Sequence, residues 1–169
     1  GHIDLDIKVR NGKVEYAKLM ISQNKRFFEH ALRGKMYNQA HHIMSRICGT
    51  CSIAHLSCCL NAIENALNIE PSEQVMLLRE LMYLGQIIRD HAMHLYFFSL
   101  PDIMGVESIL DIAKHDKEMV SKALAIKSIG NRLSIISAGR AVHPPYPVVG
   151  GFSRLPEIDK LRSIIDLID

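Results

Sequence analysis

RICGTCSIAH, residues 46–55, sets two cysteines three positions apart between an arginine and a histidine. Three uses compete for such a cluster: a redox dithiol, half of a structural zinc site, or half of a site for a different metal. Gly49 breaks the helical pattern that precedes it, and helical spacing returns at Ile53, Leu56, Leu60, Ile63 and Leu67. Cys51 is therefore expected at a helix start, with Cys48 on the preceding turn. The positive end of a helix favours thiolate over thiol, and the thiolate is the form that binds metal or attacks a disulfide.

Outside this stretch, 169 residues with 48% hydrophobic content can bury a core and point to one domain. Lysine and arginine (20) nearly balance aspartate and glutamate (18), so the formal charge of +2 gives no basic field for nucleic acid or an anionic membrane. No apolar run approaches the roughly 18 to 20 residues that span a bilayer, and residues 1–20 lack the apolar centre of a signal peptide. The chain reads as cytoplasmic. All four cysteines fall between Cys48 and Cys59, which suits reduced thiols rather than long-range disulfides.

The pattern along the chain is mainly α with a small N-terminal β-hairpin. Residues 3–9 alternate with period two, Asn11-Gly12 supplies a turn, and Val14 to Ile21 resumes the strand, giving a hairpin within residues 1–22. Residues 26–138 read as helical. Phe27, Phe28, Ala31 and Leu32 form a first stripe ending near Gly34, and a second short helix runs to Arg46. Pro71-Ser72-Glu73 opens a long helix, apolar over most of its circumference and hence expected to be buried, which should stop at Pro101. Helices over Glu107 to His115 and Lys117 to Ala138 follow, the second capped at Gly139. Residues 139–156, GRAVHPPYPVVGGFSRLP, hold four of the six prolines and read as an ordered loop, with a final helix over 156–169.

This context weighs the three uses. A thioredoxin-like dithiol belongs between alternating strands and helices, whereas these flanks are helical. A structural zinc site needs four ligands, but Cys58 and Cys59 are adjacent and point about 100° apart on a helix, so one at most can join. Both are expected to be small core residues. Another metal remains.

The pattern R-x-C-G-x-C-x-x-x-H, carried by Arg46, Cys48, Gly49, Cys51 and His55, resembles the first cysteine motif of nickel-iron hydrogenase large subunits. The likeness extends along the chain in order. Gly1-His2 before the hairpin is similar to that family's Glu-Gly-His segment, RFFEHALRG to its arginine-and-glutamate helix, DHAMHLYFFSLPD to its long buried helix, and HPPYPVVGGF to its His-Pro and Gly-Gly loop.

The resemblance implies the amino-terminal part, residues 1–169, of a catalytic domain that oxidises H2 reversibly at a Ni-Fe centre. In that centre four cysteine thiolates hold nickel, and two of them bridge to an iron carrying CN and CO. Cys48 corresponds to a terminal nickel ligand and Cys51 to a bridge, with His55 one turn later directed at the bridging sulfur. Thiolates suit nickel and low-spin iron, and a hydrogen bond from His55 would tune the sulfur. Asp90 matches an acid held by an arginine above the metals; without the resemblance it reads as a helix-surface charge or a paired buried acid. Arg46 belongs to the motif, and His143 falls in the loop assigned to the side of the electron-transfer partner. Glu29 matches a carboxylate ligand of a separate magnesium or iron ion, against an exposed helical glutamate as the ordinary reading. His91 and His94, three apart, read as core histidines.

The second cysteine pair, the arginine that meets the iron's ligands and the glutamate before Gly-His are not among these residues. The chain is therefore expected to be part of a larger protein or one chain of a divided subunit, inactive alone, and either metal-free or holding a stray ion. It is expected to pair with an iron-sulfur small subunit and with a segment bearing the second CxxC, its uncovered apolar faces favouring oligomers until then. A non-catalytic helical interaction module and a simple zinc or redox CxxC protein are the alternatives. Retention of Cys48, Cys51 and His55 speaks for the hydrogenase reading.

Overall fold

In the computed structural model, which describes residues 2–22 and 26–168, the chain divides into two units, residues 1–36 and 37–169. Gly1, paired with His2 in the expected amino-terminal segment, and Asp169, the end of the expected last helix, lie outside the described residues.

In the first unit, β1 (Ile3–Arg10) pairs antiparallel with β2 (Lys13–Ile21), Ile3 opposite Ile21 and Arg10 opposite Lys13. Asn11 and Gly12 both take positive φ, 51° and 73°, the conformation a two-residue hairpin turn demands. Period-two alternation puts Ile3, Leu5, Ile7 and Val9 on one face opposite Ile21, Leu19, Ala17 and Val14. A short helix, α1 (Phe27–Leu32), follows.

The second unit is helical. It comprises α2 (Tyr37–Met44), a 3-10 turn (Ser45–Ile47), α3 (Ser52–Leu67), α4 (Glu73–Met93), α5 (Leu100–Met104), α6 (Ile109–His115), α7 (Lys117–Ala138) and α8 (Ile158–Ile168). Ile53, Leu56 and Leu60 of α3, Met82 of α4 and Ala138 of α7 form the core, with Val149 packed against it. No described helix is long and apolar enough to cross a membrane.

The long helix departs from expectation twice. It does not stop at Pro101: a π-helical stretch (His94–Ser99) joins α4 to α5, with Pro101 in the first turn of α5, and the path ends at Gly105 in a left-handed cap. A proline ring meets the carbonyl four residues earlier in a regular helix, and the wider π turn relieves that meeting. Nor is its inward face apolar. Arg79, Met82, Gly85, Gln86, Arg89 and Ala92 are buried, while Met76, Leu77, Tyr83 and Leu84 are exposed.

What turns that face inward is a close crossing with α7, whose buried residues include Gly130, Ser134, Ser137 and Ala138. A Cβ at Gly130 would lie 2.7 Å from both Arg89 N and Gly85 O. The hydroxyl of Ser134 donates to Met82 O at 3.2 Å across the same contact. At the end of α7, Gly139 takes φ 92° with the Tyr146 ring against its Cα, a position that no side chain fits.

The Pro/Gly stretch contains a small hairpin not read from the sequence, β3 (Pro147–Val148) with β4 (Gly151–Phe152). It is docked on a buried ion pair: Arg79 donates to both carboxylate oxygens of Glu64, at 2.7 and 2.6 Å, and to Val148 O at 3.0 Å. Gly150 N donates to Glu64 Oε1 at 2.7 Å. Burial works to raise the Glu64 carboxyl, but Arg79 and the Gly150 N–H hold it below the ordinary carboxylate value. His41 is 1% exposed, with neither ring nitrogen hydrogen-bonded. Burial pushes its imidazole down to about 4, helped by the charges of His42 and Arg79.

Gly130→Ala gains about 1 kcal/mol of helix propensity but forces a methyl onto backbone atoms, an overpacking that costs roughly 1–3 kcal/mol. Urea unfolding should show net destabilisation, whereas Gly151→Ala, which meets nothing within 4 Å, should change little. His41 remains neutral in the fold down to about pH 4 while the unfolded imidazole protonates near 6.5. Stability should therefore fall as pH drops through that window, by up to about 1.4 kcal/mol per unit, and His41→Phe should flatten the dependence.

Candidate metal centre

The cysteine pair lies between the 3-10 turn and α3. Cys48 is extended (φ −144°, ψ 144°) and Cys51 is the residue that caps α3. The chain folds back so that Cys51 N donates to Cys48 Sγ at 3.4 Å, the same separation as Cys48 Sγ to Thr50 Oγ1. Sulfur here accepts the turn N–H that an Asx side chain accepts elsewhere. Both thiols are half-buried and free.

Electrostatics make the two cysteines unequal. Burial acts to raise Cys48, but hydrogen bonds from the Cys51 thiol, from Thr50 and from the main chain hold it below the usual thiol value. Burial, the shared proton, the negative charge of Cys48 and that of Asp90 push Cys51 up to about 11. The residue at the helix start, expected to be the favoured thiolate, is thus pushed away from that form. The physical reason is that the first free N–H groups of α3 do not point at sulfur. Gln86 Oε1 accepts from Ile53 N at 2.9 Å and Ala54 N at 3.2 Å, capping α3 from α4.

Other main-chain groups around the pair are also held from outside. The guanidinium of Arg89 donates to Thr50 O and to Ala141 O. His143, at φ 54°, straddles the segment: its N–H donates to Ser52 Oγ at 3.0 Å and its Nδ1 bonds Ser45 O at 2.9 Å. Burial and Arg46 hold its imidazole below the usual value. Sequence reasoning singled out His143 but missed Gln86, Arg89, Ser45 and Ser52. The available signal was the spacing of Arg79, Met82, Gln86 and Arg89, one stripe of a helix.

The remaining expected residues fall as follows. His55 is half-buried on α3, one turn after Cys51, and its backbone N donates to Cys51 O at 3.2 Å; no hydrogen bond joins its ring to the sulfur. Asp90 is close enough for its charge to act on Cys51, and its buried Oδ1 has no partner, so no arginine holds it by that atom. Arg46 is exposed beside His143. His91 and His94 are exposed rather than core, His94 Nδ1 donating to Asp90 O at 2.8 Å where the helix widens. Cys58 is likewise not a core residue: it is exposed and lines an open apolar groove of about 850 Å³ with Met76, Leu77 and Tyr83, while Cys59 is half-buried. Glu29, in the first unit, is exposed in a hollow shared with Arg26, His30 and Arg33.

The donor set fits one side of a soft-metal site. Two cysteines share one tight turn, an unpaired carboxylate oxygen lies within electrostatic reach, and among the described residues no group of three or more His, Cys, Asp or Glu side chains closes a full coordination shell.

Comparison with known proteins decides the family. The sequence model described as nickel-dependent hydrogenase matches residues 26–131. The chain belongs to the nickel-dependent hydrogenases. Over 166 residues it is 37% identical to the sulfhydrogenase 2 subunit alpha of Pyrococcus furiosus, covering 98% of this chain and 40% of that one. It is 28% identical to the periplasmic [NiFeSe] hydrogenase large subunit of Desulfomicrobium baculatum, covering 96% and 36%. An NAD+-reducing [NiFe]-hydrogenase shares the fold with a TM-score of 0.81 at 22% identity, over 98% of this chain and 39% of that one. The mainly helical fold with its N-terminal hairpin is thus that of hydrogenase large subunits, and the chain spans about 40% of the length of the curated relatives it matches.

In this hydrogenase chain the Gln86 cap is open to direct measurement. Gln86→Ala should leave two α3 amides without an acceptor and lower stability by about 1–3 kcal/mol. Hydrogen exchange should accelerate first at Ile53 and Ala54.

Proposed function

We propose that residues 1–169 form the amino-terminal part of a hydrogenase catalytic domain and contribute the Cys48–Cys51 side of its Ni-Fe centre. The enzyme so completed oxidises H2 reversibly to protons and electrons. The observation that carries this reading is the tight turn in which the Cys51 N–H donates to Cys48 Sγ, drawing the two cysteines of the motif together, in a chain of the nickel-dependent family.

A Ni-Fe centre with CN and CO ligands supplies, when bound, the polarisation that splits H2 heterolytically. The chain's residues do the rest. Cys48 and Cys51 would hold its metals through their sulfurs. Asp90, with an uncommitted Oδ1, receives or returns a proton beside them. His55, half-buried one turn after Cys51 on α3, would donate to the Cys51 sulfur. Arg46 and His143 border the site on the side of the electron carrier, and the hydrogen bonds of His143 to Ser45 and Ser52 keep that side rigid.

The other thiolates come from a segment bearing a second CxxC, since every cysteine of this chain lies between Cys48 and Cys59. Partners in this reading are that segment and an iron-sulfur small subunit, and the working compartment is the cytoplasm. A separate magnesium or iron at Glu29 rests on the sequence likeness alone, because its neighbours Arg26, His30 and Arg33 bring no side-chain oxygen and a hard cation needs further oxygen ligands.

Metal analysis and infrared spectroscopy of the complete native assembly test the proposal. Nickel together with cyanide and carbonyl bands is the expected result, with no hydrogen oxidation by the 169-residue chain when no other polypeptide is present. Zinc without those bands would overturn it in favour of an interaction module or a simple zinc or redox protein.

A further inference from the structure

Arg89 is 2% exposed, and its charge is unusual in what it lacks. Both Nη groups donate to carbonyls, of Thr50 and Ala141, and Nε has no partner. No carboxylate is hydrogen-bonded to it. Asp90 follows it directly on α4 and so projects about 100° away around the helix. A guanidinium does not shed its proton at working pH, and a buried cation without a counter-charge is strongly unfavourable. The ionisable groups whose charge reaches it are Asp90, Cys48 and Cys51.

Resting on the reading of the cysteine pair as metal ligands, we propose that Arg89 is the positioning and counter-charge residue of that pair. Its fork fixes the main chain at Thr50, between the cysteines, to Ala141 in the Pro/Gly loop, and its fixed charge offsets the negative charge of metal-bound sulfur. The two roles share one side chain because a planar guanidinium offers two parallel donors with its charge. Lysine keeps the charge but has a compact ammonium with no such fork.

The test is a nickel(II) titration of the full, reduced chain at a single pH, read at the sulfur-to-nickel charge-transfer absorption, with helical content checked by circular dichroism. Wild type, Arg89→Met, Arg89→Lys and Cys48→Ser/Cys51→Ser are compared. Partners that orient metal ligands typically contribute 10–100-fold in affinity, so Arg89→Met should bind nickel about tenfold more weakly or worse and shift the band. Arg89→Lys should recover only part of the loss. A folded Arg89→Met that binds within about twofold of wild type overturns the inference. Should Arg89→Met fail to fold, Arg89→Lys decides: wild-type affinity overturns the positioning role, and weakened affinity supports it. Failure of the underlying reading looks different, as the wild-type chain would show no charge-transfer band, or the band would survive in Cys48→Ser/Cys51→Ser, and the inference would fall with it.

Discussion

The turn that carries the cysteines cannot satisfy its own backbone, and the second unit is arranged around that constraint. Four successive residues, Thr50 to Ile53, each have a main-chain or side-chain polar group committed to a residue outside the turn or to a sulfur within it. An unpaired buried amide or carbonyl costs about 1–3 kcal/mol, so several at once would cancel much of a small unit's stability. The acceptors and donors come mainly from α4. Gln86 and Arg89 sit one turn apart on it, which matches the distance between the start of α3 and the carbonyl of Thr50.

That arrangement works only if α4 presents polar residues inward, and the crossing at Gly85 and Gly130 makes this tolerable. Backbone contact between α4 and α7 lets the long side chains of Arg79, Gln86 and Arg89 reach past the helix toward α3 and the Pro/Gly loop. At one end Arg79 grips Glu64 near the finish of α3; at the other Gln86 caps its start, so the two helices run antiparallel and are fastened at both ends. A buried ion pair is weak evidence of net stabilisation, since desolvation offsets its attraction. Its value here is positional. By also holding Val148 and Gly150 it seats the small hairpin, which belongs to the same loop that carries Ala141 and His143 to the cysteine turn.

Period and punctuation in the sequence revealed the hairpin, the sites of the helices and the turn bearing Cys48 and Cys51, because Asn11-Gly12, Gly49 and Gly139 leave little conformational choice. The inward face of α4 was not legible by the same means. Hydrophobic patterning assigns burial to Met76, Leu77, Tyr83 and Leu84, which are exposed, and solvent to Arg79, Gln86 and Arg89, which are buried. The partners that overturn this pattern lie 15 to 69 residues away in sequence, and no local signal records them. Gly85 and Gly130 were the missed clue. A glycine in mid-helix gives up about 1 kcal/mol relative to alanine, so two of them in long helices imply a close backbone approach. Pro101 misled for the opposite reason: proline ends a regular helix, but a π turn one step earlier accommodates it.

The same network orders the turn that bears the two cysteines. Small zinc modules are unfolded until their ligands close on the ion, because nothing else pays for ordering the loop. Here the loop is held by Gln86, Arg89 and His143, and Cys48 Sγ accepts the Cys51 N–H within it. In the proposed reading, a cysteine pair held by such a frame favours metals whose coordination accepts its geometry and disfavours those needing the loop to open.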